Sequence, residues 1–299
     1  MRVDAVSLYF PQDTEHGKPL EVVFIVLLAT LKVVIDIAET AANDFFVFVN
    51  SARWLREGVD PYQHPLQSGP GDNLNTPPSL LIFVPLSFLS DAAAFQVWTT
   101  VSIAAFPVSS SWIARAAAPG RVVTVAAVIF LSQAAITSLL LGQITGVLVL
   151  AVTAAWIADR ENRPTQAGVL LGIAIVAKPF LGVFLGYALW RRARPLLAGM
   201  VAGFAGFALL GLAACGLASY RSWLAALGQI SWTAHWLNGS LLGLLTRAMT
   251  TTPEVLNMTP LVDRPELVRP LWWGSLVVVA GLVGRTLLLT RDRDRVWCA

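Results

Sequence analysis

The chain has 299 residues, 56% of them hydrophobic and only 13% charged, with a net charge of +3 and a mean hydropathy of +0.66. That is too little polar surface to clothe a water-soluble globule of this size, so the composition excludes one and defines an integral membrane protein with no expected nucleic-acid partner. Several apolar runs approach the 20 residues that a helix needs to cross a hydrocarbon core about 30 Å thick, which predicts an all-α multi-pass helical bundle rather than a membrane barrel.

In chain order, residues 1–19 are polar, carry both acids and bases and lack an apolar core, so they are expected to be a cytoplasmic N-terminal segment and not a secretory signal. The first apolar run, 20–38, is then the membrane-entry helix; Lys32 and Asp36 within it have the spacing of a helical ion pair. A first outer loop follows over 39–78, and its early part, "NDFFVFVNSARWLREG", predicts an amphipathic helix at the membrane interface. Phe45, Phe48, Ala52 and Leu55 share one face of it, and Gly58 and Pro61 end it. Asp72, in "SGPGDNLN", has the setting of a turn residue.

Further apolar segments fall near 79–90, 93–115, 121–141, 145–158, 167–190, 195–217 and 270–290. The segment 79–90 is short for a crossing and 167–190 is interrupted by "AKPF", so both are expected to be half-helices or tilted pieces beside a cavity. A second outer loop, 219–269, is rich in Trp, a residue of the membrane–water interface. Arginine clusters at 158–166, 190–195 and 290–295 place these stretches and the tail, 291–299, in the cytoplasm. The whole chain is expected to be one transmembrane domain. Cys215 and Cys298 have no metal-site spacing and form no framework of bridges.

Four stretches share a familiar order: a carboxylate after the first helix with an aromatic segment, "LREGVDPY" and the proline pair of "NTPPSLLIFVPLSFL"; "LLLGQITGVLVL"; "QAGVLLGIAIVAKPFLGVFLGYALWRRAR"; and "NGSLLGLLTR". In this the chain resembles glycosyltransferase family 87, within the C-type superfamily of membrane glycosyltransferases. The resemblance implies transfer of a hexose, mannose first among them, from a polyprenyl monophosphate donor to a lipid-linked or cell-envelope acceptor, with inversion; the first outer loop holds a single acid in "VDPY" and no DxD, so no metal or other cofactor is expected. Two departures stand out: Asn75-Thr76 precedes the proline pair where the family carries an aromatic, and the chain is short, as expected of a small or C-terminally truncated member. A transporter or flippase of lipid-linked sugars, or a non-catalytic relative, is the rival reading.

Such a transfer needs a base for the acceptor hydroxyl and positive charge for the leaving phosphate. One carboxylate suffices when attack comes from the face opposite the leaving group. Asp44, at the edge of apolar sequence, is the candidate base, its alternative being an N-cap of the helix that follows. Lys178, near the middle of its apolar run, is the candidate phosphate ligand, against a reading in which it snorkels to the interface. Arg247 is a second phosphate candidate or an interfacial anchor, and His235, between Trp232 and Trp236, is a third. Asn238, Tyr62 and Trp236 are candidates for sugar or acceptor contact, and His64 reads as a loop residue. Gly142-Gln143 has the character of a helix-end packing and positioning element. The predominance of Arg over Lys suits a bacterial plasma membrane, with membrane lipids as neighbours and the site on the outer side.

Overall fold

The computed structural model describes residues 43–63, 73–117, 121–228, 232–234, 238–251 and 259–289. The first apolar run, the pair Lys32 and Asp36, His64, Asp72, His235, Trp236, Cys298 and both terminal segments lie outside the described residues. All regular structure among the described residues is helical. The chain divides into two compact units, Met1–Trp223 and Leu224–Ala299.

The first unit is built around the helix predicted after the entry segment, α1 (Asn43–Arg56). Of the apolar face read from the sequence, Phe45, Phe48 and Ala52 are buried, joined by Val49, and Leu55 is half-buried. Protein covers that face, with Phe48 stacked on Phe83 at 4.5 Å between ring centroids and Phe83 against Trp98 at 4.5 Å. Gly58 stops the helix in the left-handed conformation (φ 75°), with Gly58 N–H donating to Leu55 O and Val59 N–H to Trp54 O.

Residues 77–90 are too short to cross, as expected. Pro77, Pro78 and Pro85 open two 3-10 turns, Pro77–Ile82 and Pro85–Phe88, packed beneath α1. Among the described residues, the first helix long and apolar enough to span is α2 (Asp91–Ala117). Its start is tied to the end of α1 by Arg53, which donates to Asp91 at 2.6 Å and to Leu89 O at 3.0 Å. The apolar run 121–141 is divided between two helices. It forms α3 (Val122–Phe130) and α4 (Gln133–Leu140), bent by 55°, because Ser132 accepts the Ala135 N–H at 3.3 Å and restarts the helix as an N-cap. Together α3 and α4 return along α2, since Trp98 Nε1 near the start of α2 donates to Gly142 O just after α4, at 2.8 Å.

Helix α5 (Thr145–Arg160) then runs back, ending at Asn162 in the left-handed region (φ 58°). The broken segment is resolved into α6 (Pro164–Ala177), a 3-10 turn (Pro179–Gly182) and α7 (Val183–Trp190). These form a re-entrant hairpin: Arg191, after α7, pairs with Asp159 at 3.3 Å, so the chain is back where α6 began. The long helix α8 (Arg194–Leu227) therefore starts beside α6 and runs parallel to it. Glycines line the contact. A Cβ on Gly168 would lie 2.8 Å from Met200 N, one on Gly172 2.6 Å from Phe204 N, and Gly199 and Gly203 abut Thr165 and Val169 in the same way. Close approach of small residues is how helices associate where lipid supplies no hydrophobic drive. Gly172→Leu should lower stability by about 1–3 kcal/mol, the range for overpacking; a thermal unfolding curve in detergent unchanged from wild type would refute this contact. The span Arg194–Leu227 is two helices that meet at Gly216 (φ 73°, ψ 165°), where the predicted apolar run ends, and Tyr220 Oη donates back to Ala208 O at 2.9 Å across this turn.

The second unit contains a 3-10 turn (Trp232–Ala234), the amphipathic α9 (Leu241–Met249) and the spanning α10 (Pro265–Leu289). Ser240 caps α9 by accepting the Gly243 N–H at 3.0 Å. Three described helices, Asp91–Ala116, Arg194–Leu227 and Pro265–Thr286, are long and apolar enough to cross a membrane, and the bent pair is a fourth if it counts as one span.

Candidate active site

The polar centre of the first unit forms where three irregular segments meet. The first is the start of α1. Asp44 lies in its first turn, and the next residue donates its backbone N–H to Leu141 O at 3.2 Å. The second segment is the turn 141–143 that ends α4. Gly142 there is left-handed (φ 66°), and a Cβ on it would come to 2.5 Å from Phe45 Cβ, so no larger residue fits. This packing aims the next side chain: Gln143 Nε2 donates to Asp44 Oδ2. The sequence reading of Gly142-Gln143 as a positioning element thus has a target, the candidate base. Gly142→Ala should push α1 away from this turn and lower any activity that depends on Asp44 by about tenfold, the scale of a modest misplacement. Full activity in that variant would show that the clasp is irrelevant.

The third segment is the apex of the hairpin. Pro179 cannot donate an N–H and forces the preceding residue out of helical conformation, so Lys178 is extended (φ −140°, ψ 97°) and α6 ends there. Fourteen residues at 1.5 Å each put Lys178 about 21 Å along the axis from the start of α6. Lys178 Nζ donates to Asn75 Oδ1 at 2.8 Å.

Asn75 belongs to a strap, residues 73–76, held from several sides. Asn73 Nδ2 donates to Ser51 Oγ of α1 at 2.9 Å, and Thr76 Oγ1 to Val176 O of α6 at 2.6 Å. Trp223 Nε1 donates to Leu74 O at 3.0 Å, and Tyr62 Oη to Asn75 O at 2.6 Å. Tyr62 is therefore a support of the strap, with its hydroxyl engaged, and burial holds its phenol above the ordinary value. Cys215 is a further neighbour, its Sγ 3.5 Å from Pro77 O.

Phe45 and Ala177, the residues beside Asp44 and Lys178, pack in one core cluster, which ties the two segments together. Burial raises the Asp44 carboxyl above the usual carboxylate range, and the Lys178 ammonium and the Gln143 amide pull part of the way back. Asp44 sits within the first turn, and its carboxylate is held by Gln143, a residue 99 positions away, which a simple capping role does not require. Sequence reasoning noted Asn75 only as a departure and passed over Asn73 and Trp98; the available signal was polar residues set directly before a proline pair that opens an apolar run.

In the second unit, Arg247 and Asn238 come together, Arg247 Nη1 donating to Asn238 O at 2.9 Å. The Asn238 side chain serves the local turn, donating to Thr233 O at 2.9 Å and accepting the Ser240 N–H at 3.1 Å.

A polytopic helical membrane protein with a carboxylate and an ammonium gathered between broken helices belongs among machines that work on polar groups at bilayer depth. The family it falls into is specific. The sequence profile of Glycosyltransferase family 87 matches residues 73–299, and the chain belongs to that family. It is a membrane glycosyltransferase. The match includes Asn75, Gln143, Lys178, Asn238 and Arg247 and begins after Asp44. No curated protein and no solved structure matches the chain.

Proposed function

We propose that this membrane glycosyltransferase moves one hexose, mannose by preference, from a polyprenyl monophosphate to a lipid-linked or cell-envelope acceptor. Asp44 removes the proton from the acceptor hydroxyl as its oxygen attacks the anomeric carbon. The bond from that carbon to the phosphate oxygen breaks, and the polyprenyl phosphate leaves with one more negative charge, which Lys178 neutralises. Attack opposite the leaving group inverts the anomeric centre.

The observation that carries this reading is geometric: Phe45 and Ala177, the neighbours of Asp44 and Lys178, pack in one core cluster, with Asp44 held by Gln143 and Lys178 by Asn75, on segments 134 positions apart. A lipid carrier suits the depth of Lys178, which a donor phosphate reaches from the bilayer. The arginine-rich ends of α2, α5 and α7 lie on the cytoplasmic side under the positive-inside rule, which turns the Asp44 end outward. Only three lysines among 21 basic residues suit a bacterial plasma membrane. Tyr62, His235, Trp236, Asn238 and Arg247 remain proposed contacts to phosphate, sugar or acceptor, tested one substitution at a time by donor and acceptor affinity.

A re-entrant hairpin with a charged apex also serves transporters. Purified protein offered radiolabelled polyprenyl-phosphate mannose or GDP-mannose, each with a membrane lipid extract, separates the readings. Label should enter a new lipid from the first donor alone. Label found only in unchanged donor, moved across a vesicle membrane, would favour transport, and use of GDP-mannose would overturn the donor assignment.

A further inference from the structure

Helix α5 carries the candidate active site at its start, and at its other end, about 24 Å away for 16 residues, it borders a groove of about 530 Å³ that this site does not use. We propose that this groove binds the headgroup and glycerol region of an anionic phospholipid.

The groove lies between the ends of α2 and α5 and the turn that follows α5. Trp112 and Arg115, three residues apart on α2, face it together. Its apolar wall is Ala116, Ala154 and Ile157, and its far rim is Glu161 and Arg163. The charges from Asp159 to Arg163 are already engaged. Arg163 pairs with Glu161 and donates to Gln166 Oε1 at 2.9 Å, Arg191 holds Asp159, and Arg160 lies over the Trp156 ring at 5.1 Å. Arg115 differs: it is exposed, and among the described residues it makes no hydrogen bond or ion pair.

Two guanidiniums and one carboxylate leave the lining with one net positive charge, which a single phosphodiester balances. A zwitterionic headgroup would bring its own cation towards those guanidiniums. The position supplies the rest of the match. Ends of membrane helices lie at headgroup depth, Trp favours that layer, and basic pockets between helices there bind acidic headgroups. The apolar wall meets the glycerol and first methylenes, and Arg115 meets the phosphate with a planar fork.

The test uses the full chain, purified in detergent and exchanged into mixed micelles of dioleoyl phosphatidylglycerol, phosphatidylethanolamine or phosphatidylcholine, with retained lipid counted by native mass spectrometry. Phosphatidylglycerol should be retained in preference to the other two. Arg115→Gln should weaken its binding about tenfold, the scale of one lost charge-assisted hydrogen bond. Arg194→Gln, which removes a charge at the same end but outside the groove, should leave it within twofold of wild type. Equal retention in Arg115→Gln and wild type, or equal losses in both variants, would overturn the site in favour of diffuse attraction. Equal retention of phosphatidylethanolamine, or displacement by millimolar inorganic phosphate without detergent-lipid competition, would overturn the lipid assignment.

Discussion

Asp44→Asn should reduce sugar transfer by about a hundredfold or more, the scale of a lost general base. The substitution keeps the size of the side chain and its ability to accept a hydrogen bond from Gln143, so α1 stays docked and only basicity is removed. The pH profile gives a second signature. A base must be deprotonated to act, so transfer falls as pH drops through the Asp44 pKa. Burial raises that pKa above the usual carboxylate range, which moves the acid limb of the profile upward from where an exposed aspartate would place it. In Asp44→Asn the residual activity should lose this limb. Near-wild-type transfer with an unchanged profile would return Asp44 to a structural role at the start of α1.

Lys178→Met should raise the donor KM by about 10- to 100-fold, the worth of a hydrogen bond to a charged group. Met fills similar volume, and α6 still ends at Pro179, so the hairpin keeps its shape. The same variant should alter the behaviour of Asp44. The Lys178 ammonium lowers the Asp44 pKa, so its removal raises that pKa and shifts the acid limb to higher pH. A merely structural lysine would change stability without moving the limb. An unchanged KM together with an unmoved limb would remove Lys178 from the site.

The parts of this arrangement legible in the sequence are those set by local chemistry. The break at Lys178 follows from Pro179, the end of α1 from Gly58, and the buried face of α1 from the spacing of Phe45, Phe48 and Ala52. What stayed hidden depends on contacts between distant segments. The run 167–190 reads as two apolar pieces about the break at "AKPF", but whether it crosses or returns is decided by Gly168 and Gly172 seated against α8 and by Arg191 reaching Asp159. Asn75 reads as an ordinary loop residue until the hairpin apex brings Lys178 to it. The bend between α3 and α4 turns on one serine, Ser132, within an apolar run. In the same way, Gln143 announces a helix end by its glycine neighbour, and only the packing of Gly142 against Phe45 shows which carboxylate it serves.

The central claim is a single-base, inverting transfer from a polyprenyl monophosphate. Its most direct test is the anomeric configuration of the product formed when the purified chain, in lipid vesicles, is given polyprenyl-phosphate mannose labelled with carbon-13 at the anomeric carbon. One-bond carbon–proton coupling at that carbon reports the configuration before and after transfer. The account predicts a new glycolipid whose anomeric configuration is opposite to the donor's. A product that keeps the donor's configuration, or label recovered only in unreacted donor, would contradict it.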